Sequence, residues 1–186
     1  IDEQSLIAEQ LRTAADYNTG SVPSATAVAL LILGLEMRPE VTFEIGTFIG
    51  NTTRALALTS VKVYTCDGSN DLNLHIPNVK QWPNTMSTAG LQQFKEEGKK
   101  IDLLFVDGRL QQPDLPLITE LLHSEGVIAL DDCYPLEKGM VNVSLLAGKG
   151  FYIPPPRGEP FAAFGVPGGT TLGLIVPGAA LGISQA

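Results

Sequence analysis

The chain has 186 residues, 44% of them apolar and 17% charged, which suits one domain with a real hydrophobic core and leaves little room for two. Its formal net charge of −8 and pI near 4.7 argue against a nucleic-acid partner, because such binders carry basic patches that release counterions from phosphates; a small-molecule or protein substrate is expected. Two cysteines, Cys66 and Cys133, supply neither a disulfide framework nor a zinc spacing, which fits a reducing, cytoplasmic setting.

Residues 3–17 pattern as an amphipathic helix, with Leu6, Ile7 and Leu11 on one side and Glu3, Glu9, Arg12 and Asp16 elsewhere. The apolar run 25–35 is too short to span a membrane and follows Ser-Val-Pro-Ser rather than basic residues, so it reads as a buried helix. Arg38-Pro39-Glu40 then turns the chain into a strand over 41–45, rich in β-branched and aromatic residues. Gly46 and Gly50 frame a tight turn, and Asn51-Thr52-Thr53 caps a helix. A turn of this kind brings bare N–H groups and a helix N-terminus to the carboxyl end of a strand, where open α/β sheets bind nucleotide-like ligands. Glu44 is expected to place a carboxylate beside that crevice. The strand 61–66 ends in Asp67-Gly68, about 20 residues beyond the glycine turn, where a carboxylate can accept both ribose hydroxyls. Closing a turn with Gly68 is the simpler use of Asp67.

His75 falls in a loop and reads as solvated, residues 79–82 make a short strand, and Trp82 reads as core. A third ligand-side turn over 83–87 precedes a helix over 88–97. The run 101–106 is nearly continuous in apolar residues, as in a strand buried on both faces, and Asp107 follows it. A helix over 114–123 carries His123 in its last turn, and a strand over 126–130 ends in Asp131-Asp132. Asp107, Asp131 and Asp132 thus arrive at one edge of two sequential strands. Carboxylates so close repel unless a cation or protons neutralise them, and an all-oxygen set suits Mg²⁺ or a similar hard divalent ion; taken singly, each aspartate is explained as a strand-end cap. A helix over 136–146 stops at Gly148 and Gly150. Short strands over 151–153 and 170–176 flank a long proline-stiffened loop, whose Phe161 and Phe164 suit a substrate pocket, an oligomer contact or, more simply, a satellite apolar cluster. The tail 177–186 is small and apolar.

Glu-Ile-Gly-Thr-Phe-Ile-Gly-Asn-Thr over 44–52 resembles the first motif of class I S-adenosylmethionine (SAM)-dependent methyltransferases. The likeness is strongest to the small O-methyltransferases related to catechol and caffeoyl-CoA enzymes, where the middle glycine is commonly a larger residue, as Phe48 is here. Related sugar and antibiotic O-methyltransferases share the pattern. The dinucleotide spacing Gly-x-Gly-x-x-Gly is absent. Phe-Val-Asp-Gly at 105–108 and Gly-Val-Ile-Ala-Leu-Asp-Asp at 126–132 are similar to that family's paired metal-ligand motifs, with Asp132 standing where Asn is usual.

The resemblance implies a Rossmann-like α/β fold: a seven-stranded, mostly parallel sheet in the order 3-2-1-4-5-7-6 with helices on both faces. It implies one domain, with residues 1–23 as a helical lid segment, 24–176 as core and 177–186 as tail. SAM would be held by Glu44, Gly46, Thr47, Phe48, Gly50, Asn51, Thr52, Asp67, Gly68, Met86, Ser87 and Asp107, with Thr85 also near the adenine. Asp107, Asp131 and Asp132 would hold a divalent ion and the hydroxyl of a small-molecule acceptor. Asp107, Asp132 and Arg109 are the candidates for chemistry. The family's general base, a lysine three residues after the first metal aspartate, is Leu110 here, and the adjacent Arg109 guanidinium cannot serve as an ordinary base. Three routes stay open: a carboxylate such as Asp132 takes the proton, metal-bound substrate ionises without a dedicated base, or catalysis is lost. The rival readings are a catalytically silent SAM-binding domain and a nicotinamide-dependent oxidoreductase. No membrane association is expected, and related enzymes are often homodimers.

Overall fold

The computed structural model describes residues 22–68, 73–133 and 138–178. Seven strands form one sheet: β1 (Val41–Ile45), β2 (Lys62–Cys66), β3 (Val79–Trp82), β4 (Ile101–Val106), β5 (Leu122–Leu130), β6 (Phe151–Ile153) and β7 (Gly173–Val176). Their order is β3-β2-β1-β4-β5-β7-β6. The first five strands run parallel, and β7 pairs antiparallel with both β5 and β6. The expected topology is therefore the observed one. Among the described residues, five helices accompany the strands: α1 (Ser24–Met37), α2 (Asn51–Thr59), α3 (Ser87–Glu96), α4 (Asp114–Leu121) and α5 (Lys138–Leu145).

Alternation along each central strand builds a core on both faces. Phe43, Tyr64, Leu104, Val106 and Ile128 pack with Leu91 and Phe94 of α3 and Ile118 and Leu121 of α4. Val63, Leu103, Phe105, Val127 and Ala129 pack with Leu30 of α1 and Leu56 of α2. Four of the six β4 residues are fully buried hydrophobics on alternating faces, with Ile101 a fifth, as the apolar run requires. An aromatic group under β1 and β2 anchors the first face. Phe94 meets Phe43 at 5.3 Å and Tyr64 at 4.9 Å, edge to face in both cases. Fully burying one such side chain contributes about 3 kcal/mol. Trp82 lies over Tyr64 at 5.7 Å, within the core as expected.

Local details depart from expectation. The α1 helix is buried along one side only, since Ile32 is 44% and Leu35 is 48% exposed. Gly34 sets its approach to α2: a Cβ there would lie 2.1 Å from Thr59 Oγ1. His123 is not in a helix. The α4 helix ends at Leu121, and His123 is an exposed residue of β5, in the stretch where pairing with β4 slips from Ile101–Leu122 to Leu103–Val127. An irregularity of this kind inserts unpaired residues that apolar periodicity does not announce. Phe164 is 80% exposed on a short 3-10 turn, not part of a satellite cluster. The expected helix 3–17 and most of the tail lie outside the described residues. None of the described helices is long and apolar enough to cross a membrane.

Candidate active site

The order β2-β1-β4 makes the gap between β1 and β4 a topological switch point, where crossover connections diverge and a crevice opens at the strand ends. The glycine turn sits there. Gly46 and Gly50 have φ of +100° and +79°, values L side chains adopt only with strain. A Cβ on Gly46 would stand 3.2 Å from the Asp107 carbonyl carbon and the Gly108 nitrogen, so the bare backbone lets the turn approach the end of β4 closely. Phe48 holds φ +43° without being glycine, a conformation that costs on the order of 1 kcal/mol.

Asp67 secures this turn from the neighbouring strand. Its Oδ2 accepts hydrogen bonds from the backbone N–H of Thr47 at 2.9 Å and of Phe48 at 2.8 Å. The carboxylate thus lies along the crevice with an orientation fixed by two backbone donors. On the other side of the turn, Arg54 Nη1 donates to the Ile49 carbonyl at 2.8 Å. Gly68 packs beside Met86, whose sulfur would be 2.3 Å from an added Cβ, and Met86 itself is 54% exposed.

Glu44 does not border the crevice as an open carboxylate. It is fully buried, and its two oxygens accept hydrogen bonds from Thr52 at 2.6 Å, Thr53 at 2.5 Å and Thr65 at 2.6 Å. Thr47 extends the chain of hydroxyls, 2.6 Å from Thr65. Burial pushes the Glu44 carboxyl up to about 7 in spite of these donors. Its role is to bind β1, β2 and the start of α2 together behind the turn. Thr52 is correspondingly turned toward Glu44, and Ser87 toward Asp114 Oδ2 at 2.7 Å, so neither hydroxyl faces outward. The crevice itself, lined by Val22, Thr47, Phe48, Ile49, Asn51, Thr52 and Asp107, measures about 10 Å³. The polar groups suit an adenosyl ligand.

Asp107, Asp131 and Asp132 do converge: one carboxylate oxygen from each lies within 4.8 Å of the others. Backbone continuity past the strand ends explains it, since Asp107 N–H donates to Ile45 O at 2.9 Å and Asp131 N–H to Val106 O at 3.0 Å. Asp132 adopts φ +54°, which swings its side chain off the strand path. Burial and then the Asp131 charge push Asp107 up to about 7, and burial raises Asp131 as well. Thr171, just before β7, donates its hydroxyl to Asp131 Oδ1.

Sequence reasoning missed the group that completes this cluster. Lys138, at the start of α5, places Nζ 2.8 Å from Asp107 Oδ1 and 2.8 Å from Asp132 Oδ2. Burial alone would lower its pKa, but the two carboxylates hold it above the usual lysine range. The signal was present: Lys138 is the one Lys or Arg between Arg109 and Lys149, a span that contains two of the three aspartates. The oxygen donors suit a hard divalent ion in kind, yet two of the three carboxylates already share an ammonium, so an ion and Lys138 compete for the same oxygens. Arg109 is exposed, and Leu110 is buried at 6% exposure, with its N–H donating to Asn142 Oδ1 at 3.0 Å.

Next to the cluster a cavity of about 770 Å³ opens between the proline-rich loop and α5. Met140, Tyr152 and Pro154 to Pro156 supply apolar walls, Arg157 stands among its lining residues, and Cys133 and Thr170 adjoin Asp132 and Thr171 in sequence.

No protein-family model matches the chain, and no curated protein matches it. Solved structures do. The O-methyltransferase from Bacillus cereus in complex with SAH is 17% identical, with a TM-score of 0.67 over 95% of this chain and 92% of that one. The O-methyltransferase TomG from Streptomyces achromogenes, involved in tomaymycin synthesis and in complex with SAM, is 19% identical, with a TM-score of 0.62 over 96% and 92%. A methyltransferase from Geobacter sulfurreducens is 16% identical, with a TM-score of 0.63 over 95% and 90%. With near-complete coverage of both partners and the strand order found above, the protein has the Rossmann-like methyltransferase fold.

Proposed function

We propose that the protein is a SAM-dependent methyltransferase acting on a hydroxyl of a small molecule. One observation carries the reading: a positive-φ glycine turn at the switch point, tied through two N–H groups to a carboxylate at the end of the adjacent strand. That pairing matches the needs of an adenosyl ligand, with ribose hydroxyls for Asp67 and backbone donors around 46–51 for its polar edge. The structural neighbours crystallised with SAM or SAH support it. Gly68 and Met86 flank the same end of the sheet as candidates for the adenine side. The ligand supplies an activated methyl group when bound. The chain supplies orientation, and the β4–β5 end with its 770 Å³ neighbour is the candidate acceptor side, of a size for a small molecule.

The proposal extends to the organisation and setting of the chain. The proposed organisation is a single domain with its core over residues 24–176; the lid that the resemblance implies for residues 1–23 falls mostly outside the described residues. Two buried free thiols, Cys66 and Cys133, support a reducing, cytoplasmic compartment. Edge strand β6 exposes Phe151 and Ile153, at 48% and 42%, which supports pairing with a second copy.

Calorimetric titration with S-adenosylhomocysteine and, separately, with NAD tests the cofactor. Saturable binding of the former in the micromolar range and none of the latter is expected; NAD binding alone would make the protein an oxidoreductase. Methyl transfer from labelled SAM to a panel of phenols and sugars then separates an enzyme from a silent binding domain, which would bind without turnover.

A further inference from the structure

We infer that Lys138 is the resident counter-ion of the Asp107–Asp131–Asp132 cluster, standing where a divalent ion would bridge two of its carboxylates. The inference does not rest on the identity of the methyl donor or acceptor. It rests on where one ammonium lies and on what holds it there.

The position is built, not incidental. Lys138 Nζ is equidistant, at 2.8 Å, from oxygens of Asp107 and Asp132, which belong to different strand ends. Its side chain is only 27% exposed. The start of α5 is seated against the backbone it serves: a Cβ on Gly139 would lie 2.1 Å from Asp131 O and 2.6 Å from the Asp132 carbonyl carbon, so glycine alone permits the approach. One turn further along the helix, Asn142 is buried at 1% exposure. It donates from Nδ2 to Gly108 O at 2.9 Å and accepts from Leu110 N–H at 3.0 Å, stitching α5 to the loop that carries Asp107. Residues four apart share a helix face, so this stitch keeps Lys138 over the cluster. Asp131, the carboxylate that Lys138 does not reach, receives the Thr171 hydroxyl instead.

Physical consequences follow for metal binding. A divalent ion coordinated by Asp107 and Asp132 needs the oxygens the ammonium holds and would meet a like charge a few ångströms away. The cluster therefore keeps its form without added metal. Removing the ammonium exposes three carboxylates with no cation, the arrangement hard ions bind best.

The test is a Mn²⁺ titration of the full chain, followed by calorimetry and by the thermal unfolding midpoint, with parallel samples in chelator. Wild type is expected to show no saturable Mn²⁺ binding and no shift of midpoint. Lys138→Met, which keeps much of the apolar stem, is expected to gain saturable binding where wild type shows none, because charge count tunes such affinities over decades. Its midpoint should rise with Mn²⁺. Lys138→Arg keeps a cation and should stay indifferent to the metal. If Lys138→Met does not fold, Lys138→Gln, which retains a donor for the same oxygens, takes its place in the comparison. Tight Mn²⁺ binding by wild type, or no gain in the folded neutral variants, overturns the inference. Either result leaves the adenosyl-ligand reading intact, since that is judged by homocysteine-product binding.

Discussion

The carboxyl end of β1–β2 and the carboxyl end of β4–β5 lie along the same edge of the sheet and solve the same problem in different ways. Each buries acidic side chains at strand ends, where desolvation disfavours charge. At the first, Glu44 is surrounded by hydroxyls of Thr52, Thr53 and Thr65, and Asp67 by the N–H groups of Thr47 and Phe48. At the second, Asp107 and Asp132 share the Lys138 ammonium. Neutral donors fix the geometry of a buried carboxyl, whereas an ammonium bridges two carboxylates and competes for their oxygens with any other cation, while burial still pushes Asp107 up to about 7. The first end is accordingly suited to orienting a ligand rigidly, and the second to presenting negative charge that one side chain controls.

The largest expected effect breaks the first end through its buried acid. Glu44 is raised from an ordinary 4.5 to about 7 in the folded chain. Between those values the unfolded chain has lost a proton the folded chain retains, so stability is full below about 4.5 and declines as pH rises through 7. The loss amounts to about 3 kcal/mol. Glu44→Gln, whose amide can donate to and accept from the same hydroxyls, should flatten that part of the stability profile measured by urea unfolding between pH 4.5 and 8. An unchanged slope in the variant would mean that Glu44 stays ionised.

Asp67→Ala sharpens the contrast from the ligand side. Loss of the acceptor for two turn N–H groups and for the ribose should weaken S-adenosylhomocysteine about 100-fold, since hydrogen bonds to a charged group contribute about 1.5–3 kcal/mol each. The β4–β5 cluster shares none of these bonds, so a Mn²⁺ titration of the same variant should match wild type. Gly139→Ala does the reverse and is expected to be smaller, at about 2 kcal/mol of stability, the usual cost of forcing a methyl group into a packed contact. By lifting α5 off Asp131 and Asp132 it should also loosen Lys138 and raise Mn²⁺ affinity, while homocysteine-product binding holds. Equal loss of both ligands in Gly139→Ala would show that the two ends are one coupled unit.

Much of the first end was legible along the chain. Gly46, Gly50, the polar start of α2 and Asp67 fall within two successive α/β units, and their spacing alone places them at one crevice. Even there Glu44 was misplaced, because strand alternation gives a face but not what covers it: Thr52 and Thr53 come from the next helix and Thr65 from the next strand. Thr52 and Ser87, which the resemblance places among the SAM-holding residues, are likewise turned to buried carboxylates. At the second end the three aspartates were found, since each closes a recognisable strand. The sequence offered Leu110 where the resembling family keeps its lysine, and the compensating ammonium lies 28 positions further on (138 − 110), on a helix whose docking depends on Gly139 and Asn142.

By itself the sequence determined the two-faced core and the edge at which acidic residues gather, because those follow from apolar periodicity and turn chemistry, while the strand order came from the resemblance to a known family. Only the tertiary structure decided which charges are neutralised and by what. That outcome depends on groups brought within 3 Å from remote elements, Lys138 to Asp107 and Thr171 to Asp131, and electrostatic partnership at such range is set by packing rather than by proximity along the chain.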